Sequence, residues 1–142
     1  MDFRTRLIAA FNDNDIELSD IQADMFCRYR DMMLEYNAIH NLTSITDDEG
    51  IILKHFLDSV LPYKDIPDHA KVIDIGTGAG FPGLVIKIFY PHLSVTLVDS
   101  LNKRINFLND VINKLDLENI ETIHSRMEEY AKKNIEKFDV VT

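Results

Sequence analysis

A single cysteine, Cys27, stands among the 142 residues. No disulfide can close within the chain, which fits a reducing compartment, so a cytoplasmic location is the expectation. The setting of that residue, Met25-Phe26-Cys27 inside an apolar helical pattern, predicts a buried core thiol rather than a reactive one. Long apolar runs are missing as well. No segment nears the roughly 20 residues that a membrane span needs, and Met1-Asp2-Phe3-Arg4 lacks the basic stretch and apolar run of a secretory leader. Positive charge is scarce: 15 Lys and Arg face 24 Asp and Glu, for a net charge of -9. The deficit is uneven, because residues 1–70 carry 6 basic and 14 acidic side chains whereas residues 71–142 carry 9 and 10. Such a field excludes tight, non-specific nucleic-acid binding. Any RNA contact must come from a local patch or from sequence outside this chain. His40, His69, His92 and His124 show no metal-ligand spacing, so no metal site is expected.

The apolar fraction of 46% and the charged fraction of 27% are those of a folded globular protein. A chain of this length buries roughly 70% of its unfolded surface. Residues 1–66 read as an N-terminal helical extension. Phe3, Leu7, Ile8 and Phe11 recur at helical spacing, as do Ile21, Met25, Tyr29, Met32, Met33 and Tyr36. Ser19 is placed to cap the second of these helices, and residues 49–61 form a third that Pro62 stops. Residues 67–142 change pattern. Lys71 to Ile75, Ser94 to Val98, Ile120 to His124 and Phe138 to Val141 read as strands. Pro82 to Tyr90, Asn102 to Leu117 and Arg126 to Ile135 read as the helices between and after them. That alternation predicts an α/β fold: a Rossmann-like parallel sheet with helices on both faces. A chain ending inside an apolar strand would leave an unpaired edge, so the expectation is a fragment of a longer fold, incomplete at its C-terminus.

The chemistry concentrates in Asp74-Ile75-Gly76-Thr77-Gly78-Ala79-Gly80-Phe81-Pro82-Gly83, which follows a strand and opens a helix. Glycine there permits positive φ and close approach to a ligand, and the N–H groups of a helix start favour a carboxylate or phosphate. Asp99 ends the next strand, nineteen residues after Gly80, where an acid meets a ribose in nucleoside-binding sheets. Asp74, inside the first strand, is costly to bury unless it is hydrogen-bonded or paired; it either orients the loop or holds a cationic ligand. NAD and S-adenosylmethionine both suit a ribose-binding Asp. The spacing Gly76-x-Gly78-x-Gly80 departs from the dinucleotide pattern Gly-x-Gly-x-x-Gly, which favours the methyl donor.

These residues resemble the first two motifs of class I methyltransferases. Together with Asn41-Leu42-Thr43-Ser44-Ile45-Thr46 and Lys54-His55-Phe56-Leu57-Asp58-Ser59, they resemble the bacterial small-subunit rRNA guanine-N7 methyltransferase family, also called glucose-inhibited division protein B. The likeness runs from about residue 35 to 142. It implies S-adenosyl-L-methionine as cofactor and N7-methylation of a guanine in small-subunit (16S) ribosomal RNA, with that RNA or the ribosomal subunit as partner. It further implies that Gly76, Gly78 and Phe81 line the cofactor, that Asp99 binds its ribose hydroxyls and that Met127 and Glu128 border the adenine. In the family a Ser-Arg pair follows the fourth strand and its Arg joins the cofactor site; here the sequence ends where that pair would come next.

Guanine N7 presents a lone pair and carries no proton, so the absence of an acid–base dyad is no objection to methyl transfer. Lys54, Lys103, Arg104 and Arg126 fall at element starts near the expected cofactor edge and are candidates to touch RNA, or else plain solvated side chains. His55, Asp58 and Ser59 are open to a structural or a ligand-facing reading, and Glu129 reads as a solvated helix start. A complete chain is expected to be monomeric. The rival readings are an NAD-dependent Rossmann oxidoreductase and an inactive cofactor-binding fragment.

Overall fold

The computed structural model describes residues 1–142. Helix α1 (Phe3–Asn12) starts at Asp2, whose carboxylate accepts the Thr5 N–H at 2.9 Å. Helix α2 (Asp20–Asn37) starts at a capping box: Ser19 Oγ accepts from Gln22 N–H and Gln22 Oε1 accepts from Ser19 N–H. Two otherwise orphaned donors are thereby satisfied. That start fixes the helical phase, so Ala23, Phe26, Tyr29 and Met33 face inward. Two sequence expectations give way here. Ile21, read as part of the apolar stripe, is 69% exposed, because its spacing from Ala23, Phe26, Tyr29 and Met33 sets it to one side of the buried face. Cys27 is half-buried at the edge of the core instead of inside it; the burial it does have raises its thiol pKa.

The third helical stretch opens as α3 (Asp48–Gly50), widens to π geometry over Ile51–Leu57 and returns as α4 (Asp58–Val60). Pro62 does not end it abruptly; it sits in a closing 3-10 turn, Leu61–Tyr63. Residues 38–47 link α2 to this stretch through a turn, bends and irregular backbone. Arg30 of α2 bonds Asp48 at 2.8 Å and lies 4.5 Å over the Phe3 ring, so one guanidinium joins α1, α2 and α3.

The sheet has four parallel strands in the order β3-β2-β1-β4. These are β1 (Lys71–Ile75), β2 (Ser94–Asp99), β3 (Ile120–His124) and β4 (Val140–Val141). Between them run α5 (Gly83–Phe89), α6 (Asn102–Lys114) and α7 (Met127–Asn134). Strands β1 and β2 are buried almost throughout because both faces of a parallel sheet are covered. On one face Val72, Val95 and Leu97 join the side chains of α1, α2, α5 and α6 in a single cluster of 28 buried residues. The alternate residues, Ile73, Thr96 and Val98, point to the other face, the side of α7. Lys87 is 2% exposed in α5, yet its ammonium donates to the carbonyls of Pro91 and Leu93 at 2.7 and 2.6 Å. No helix is long and apolar enough to cross a membrane.

Candidate nucleoside-cofactor site

The turn from β1 to α5 carries three consecutive alternate glycines at positive φ: Gly76 at 71°, Gly78 at 61° and Gly80 at 104°. Glycine, with no Cβ, adopts such angles at no steric cost. The turn is tied to the neighbouring strand, since the Gly76 and Thr77 N–H groups donate to the Val98 carbonyl at 2.8 and 3.1 Å. Asp74 orients the loop. Its buried carboxylate accepts from Thr77 Oγ1 at 2.7 Å and from Gly83 N–H at 2.8 Å. Burial raises its pKa and these two bonds oppose the rise. Of the two roles open in the sequence, loop orientation is the one that the geometry realises. A methyl group at Gly83 would stand 2.5 Å from Leu97 Cδ2 and 2.7 Å from Asp74 Oδ2, which is why that position lacks a side chain.

Asp99 closes the other side. It is 1% exposed. One carboxylate oxygen accepts from Gly78 N–H at 2.9 Å and the other from Leu101 N–H at 2.9 Å. Its main-chain carbonyl accepts from Ser125 N–H at 3.1 Å. Asp99 thus holds the glycine loop, the start of α6 and the turn before α7 together. Arg104 leans onto the same carboxylate at 3.5 Å, and its Nε is buried without a partner. Its engagement with Asp99 sets Arg104 apart from Lys54, Lys103 and Arg126, which are exposed. Met127 lies over the first glycine: a Cβ at Gly76 would meet its sulfur at 2.8 Å. Glu128 is exposed in the first turn of α7. Beyond Gly78 a Cβ would meet nothing within 4 Å, so the space above the loop is open there.

The motif residues at 41–46 and 54–59, far from the loop in sequence, come to it in space. Asn37 Oδ1 accepts from the N–H groups of Leu42 and Thr43 at 2.7 and 3.0 Å. Thr43 Oγ1 meets His55 Nε2 at 2.9 Å. The His55 ring stacks on Phe81, with centroids 4.0 Å apart and planes 11° from parallel. Ser59 is buried and its hydroxyl donates to the His55 carbonyl, whereas Asp58 is exposed. Sequence reasoning missed Asn37 and the hydroxyl of Tyr29, which donates to the Ala79 carbonyl inside the loop. A signal for the latter existed, since a tyrosine on a buried helical stripe needs a partner for its O–H.

Burial lowers the His55 pKa from its usual 6.5. The unfolded chain therefore takes up this proton before the folded one does, and stability falls as pH drops from about 6.5 through the lowered value. Thermal unfolding followed from pH 7.5 to 5 is expected to show that slope, and His55→Asn to remove its share of it. An unchanged slope in the variant would contradict the assignment.

A cavity of about 550 Å³ opens at the opposite ends of the strands, among Lys71, Ser94, Glu121, Tyr130 and Lys137. The site read from the sequence does not touch it. No three His, Cys, Asp or Glu side chains cluster as a metal site would require.

The fold is that of a class of methyltransferases. A solved protein-L-isoaspartate O-methyltransferase from Plasmodium falciparum, described as putative in its own structure and bound to S-adenosyl-L-homocysteine, superposes over 99% of this chain and 72% of its own, with TM-score 0.59 at 14% identity. A coclaurine N-methyltransferase structure matches 70% of this chain and 29% of its own, with TM-score 0.50 at 21% identity. At the level of sequence, the family model described as GidB, rRNA small subunit methyltransferase G, matches residues 22–142, and the chain belongs to that family. Curated relatives named ribosomal RNA small subunit methyltransferase G include those of Lysinibacillus sphaericus, 48% identical over 96% of this chain, and Lachnoclostridium phytofermentans, 52% identical over 89%. The chain spans 59% and 54% of the length of these two relatives.

Proposed function

We propose that this chain carries the S-adenosyl-L-methionine-binding portion of a cytoplasmic enzyme that methylates N7 of a guanine in small-subunit ribosomal RNA. The observation that carries the reading is the bond from Gly78 N–H to the buried Asp99 carboxylate, which sets an acid beside a positive-φ glycine loop at the carboxyl ends of two parallel strands. That is the crevice where open α/β sheets bind nucleosides. The open space beyond Gly78 fits the cofactor. When bound, the cofactor supplies a sulfonium methyl: the N7 lone pair forms the new bond to carbon while the carbon–sulfur pair returns to sulfur. This chain's residues hold and align. Gly76, Gly78 and Phe81 line the cofactor, Asp99 receives the ribose hydroxyls, and Met127 and Glu128 flank the adenine. Alignment of this kind can supply roughly 7–11 kcal/mol of a barrier. Because N7 faces the deep, narrow major groove of an RNA helix, the target base must be unstacked or in an open loop. Lys103, Arg104 and Arg126 are the cations offered to that RNA.

Arg104 occupies the approach to Asp99, so ribose binding displaces it. Arg104→Met is then expected to tighten S-adenosylhomocysteine binding. The ion pair is partly exposed and worth about 0.2–1 kcal/mol, which corresponds to at most about fivefold. Weaker binding in that variant would mean that the guanidinium itself contacts the cofactor.

Calorimetric titration with S-adenosylhomocysteine tests the whole reading. Saturable one-to-one binding supports it. Binding of NADH in its place would favour the oxidoreductase reading. With binding secured, transfer of labelled methyl to small-subunit RNA tests the activity, and binding without transfer would leave this chain a cofactor-binding portion only.

A further inference from the structure

Tyr29 belongs to α2, fifty residues before the loop it touches. It is fully buried among Phe56, Phe81 and Phe107, with ring centroids 5.5, 5.9 and 6.3 Å away. A buried tyrosine can be mere filling, and its ring packing is consistent with that. Its hydroxyl does something a filler would not. It donates to the carbonyl of Ala79, at the centre of the glycine loop. The other side of the same peptide unit is held as well, because the Gly80 N–H donates to the Thr77 carbonyl at 3.0 Å. The Ala79–Gly80 peptide plane is therefore fixed from both sides. Gly80 also shows how close the approach is: a Cβ there would stand 2.5 Å from the Tyr29 oxygen and 2.8 Å from Leu84 Cβ. The next residue, Phe81, carries the His55 stack.

From this geometry we infer that Tyr29 is a positioning residue for the cofactor site, through which the N-terminal helices set the conformation of the glycine loop. The inference rests on the reading of that loop as a cofactor site for its consequence, though not for its geometry. With the hydroxyl removed, the Ala79 carbonyl loses its partner in a dry setting, and the peptide plane is held from one side only. The binding-competent loop is then populated for a fraction of the time, and apparent affinity falls by that fraction. A net loss of a buried hydrogen bond corresponds to about five- to thirtyfold.

The test is Tyr29→Phe, which keeps the ring and its packing, compared with the native chain by two measurements. Amide hydrogen exchange of Gly80 and Phe81, both bonded to the Thr77 carbonyl, is expected to quicken about tenfold or more, while the ladder amides of Leu97 and Val98 keep their rates. S-adenosylhomocysteine is expected to bind about five- to thirtyfold more weakly. Unchanged exchange at Gly80 and Phe81 overturns the inference, and so does equal quickening along β2, because Tyr29 would then serve stability alone. Altered loop exchange with undiminished affinity also overturns it. If the native chain binds no S-adenosylhomocysteine while the loop exchange still responds, the cofactor reading fails and the positioning of the loop stands. Should Tyr29→Phe fail to fold, 3-fluorotyrosine at position 29 keeps the hydroxyl and strengthens its donation. The same two amides are then expected to slow, and no change would overturn the inference.

Discussion

Asp99→Ala is expected to weaken binding of S-adenosylhomocysteine by about 10- to 150-fold, because a hydrogen-bonding partner that is charged is worth roughly 1.5–3 kcal/mol. Two losses combine. In the proposed site the ribose hydroxyls lose their acceptor, and the loop loses the bond from Gly78 N–H that aims it. The variant also frees Leu101 N–H and the Arg104 guanidinium, so its unfolding midpoint must be measured beside its affinity. A drop in affinity with the midpoint largely kept locates the effect in the site. Unchanged affinity would remove Asp99 from the cofactor site altogether.

Gly80→Ala carries the largest expected effect on stability. The residue has φ of 104°, and the added methyl would meet Tyr29 Oη at 2.5 Å and Leu84 Cβ at 2.8 Å. A left-handed backbone costs a side-chain-bearing residue about 1–2 kcal/mol, and overpacking a closed site costs about 1–3 more. At roughly 2–4 °C per kcal/mol for a chain near this size, the midpoint should fall by about 4–20 °C. Gly78→Ala is the matched control, because φ is 61° but nothing lies within 4 Å of the new atom. It should cost only the backbone share, while the methyl projects into the space proposed for the cofactor. Equal losses of stability in the two variants would mean that the contact with Tyr29 is soft.

Much of this was legible in the sequence because it depends on local order. Short β-prone runs that alternate with helical patterns become strands of a parallel sheet, and β1, β2 and β3 lie close to where their runs do. The fourth run starts at Phe138 in the sequence, but only Val140–Val141 form the strand; beside it Asp139 N–H donates to the Lys71 carbonyl, Thr142 N–H to that of Ile73, and Ile75 N–H to that of Thr142. The glycine loop and the placement of Asp99 were legible for the same reason, since both follow from strand ends and chain order. The bonds from Tyr29 to Ala79 and from Thr43 to His55 were not. They join elements whose meeting is decided by how whole helices pack, and helical spacing reports which face is apolar without reporting what that face will touch. Ile21 failed for a narrower reason: the buried face of its helix follows Ala23, Phe26, Tyr29 and Met33, and the helical turn sets Ile21 to one side of that face.

The unbroken apolar cluster from Phe3 to Leu115 has a consequence for how the molecule comes apart. Phe11 and Phe26 belong to the same cluster as Leu84 and Phe107, so the first helices cannot peel away while the sheet stays intact without baring side chains from both. Heating should yield one cooperative transition, and a protease attacking the connection around Asp65–His69 should release no long-lived remnant of either part. Any molecule seated on the glycine loop would then guard α1 against digestion as effectively as it guards the loop itself.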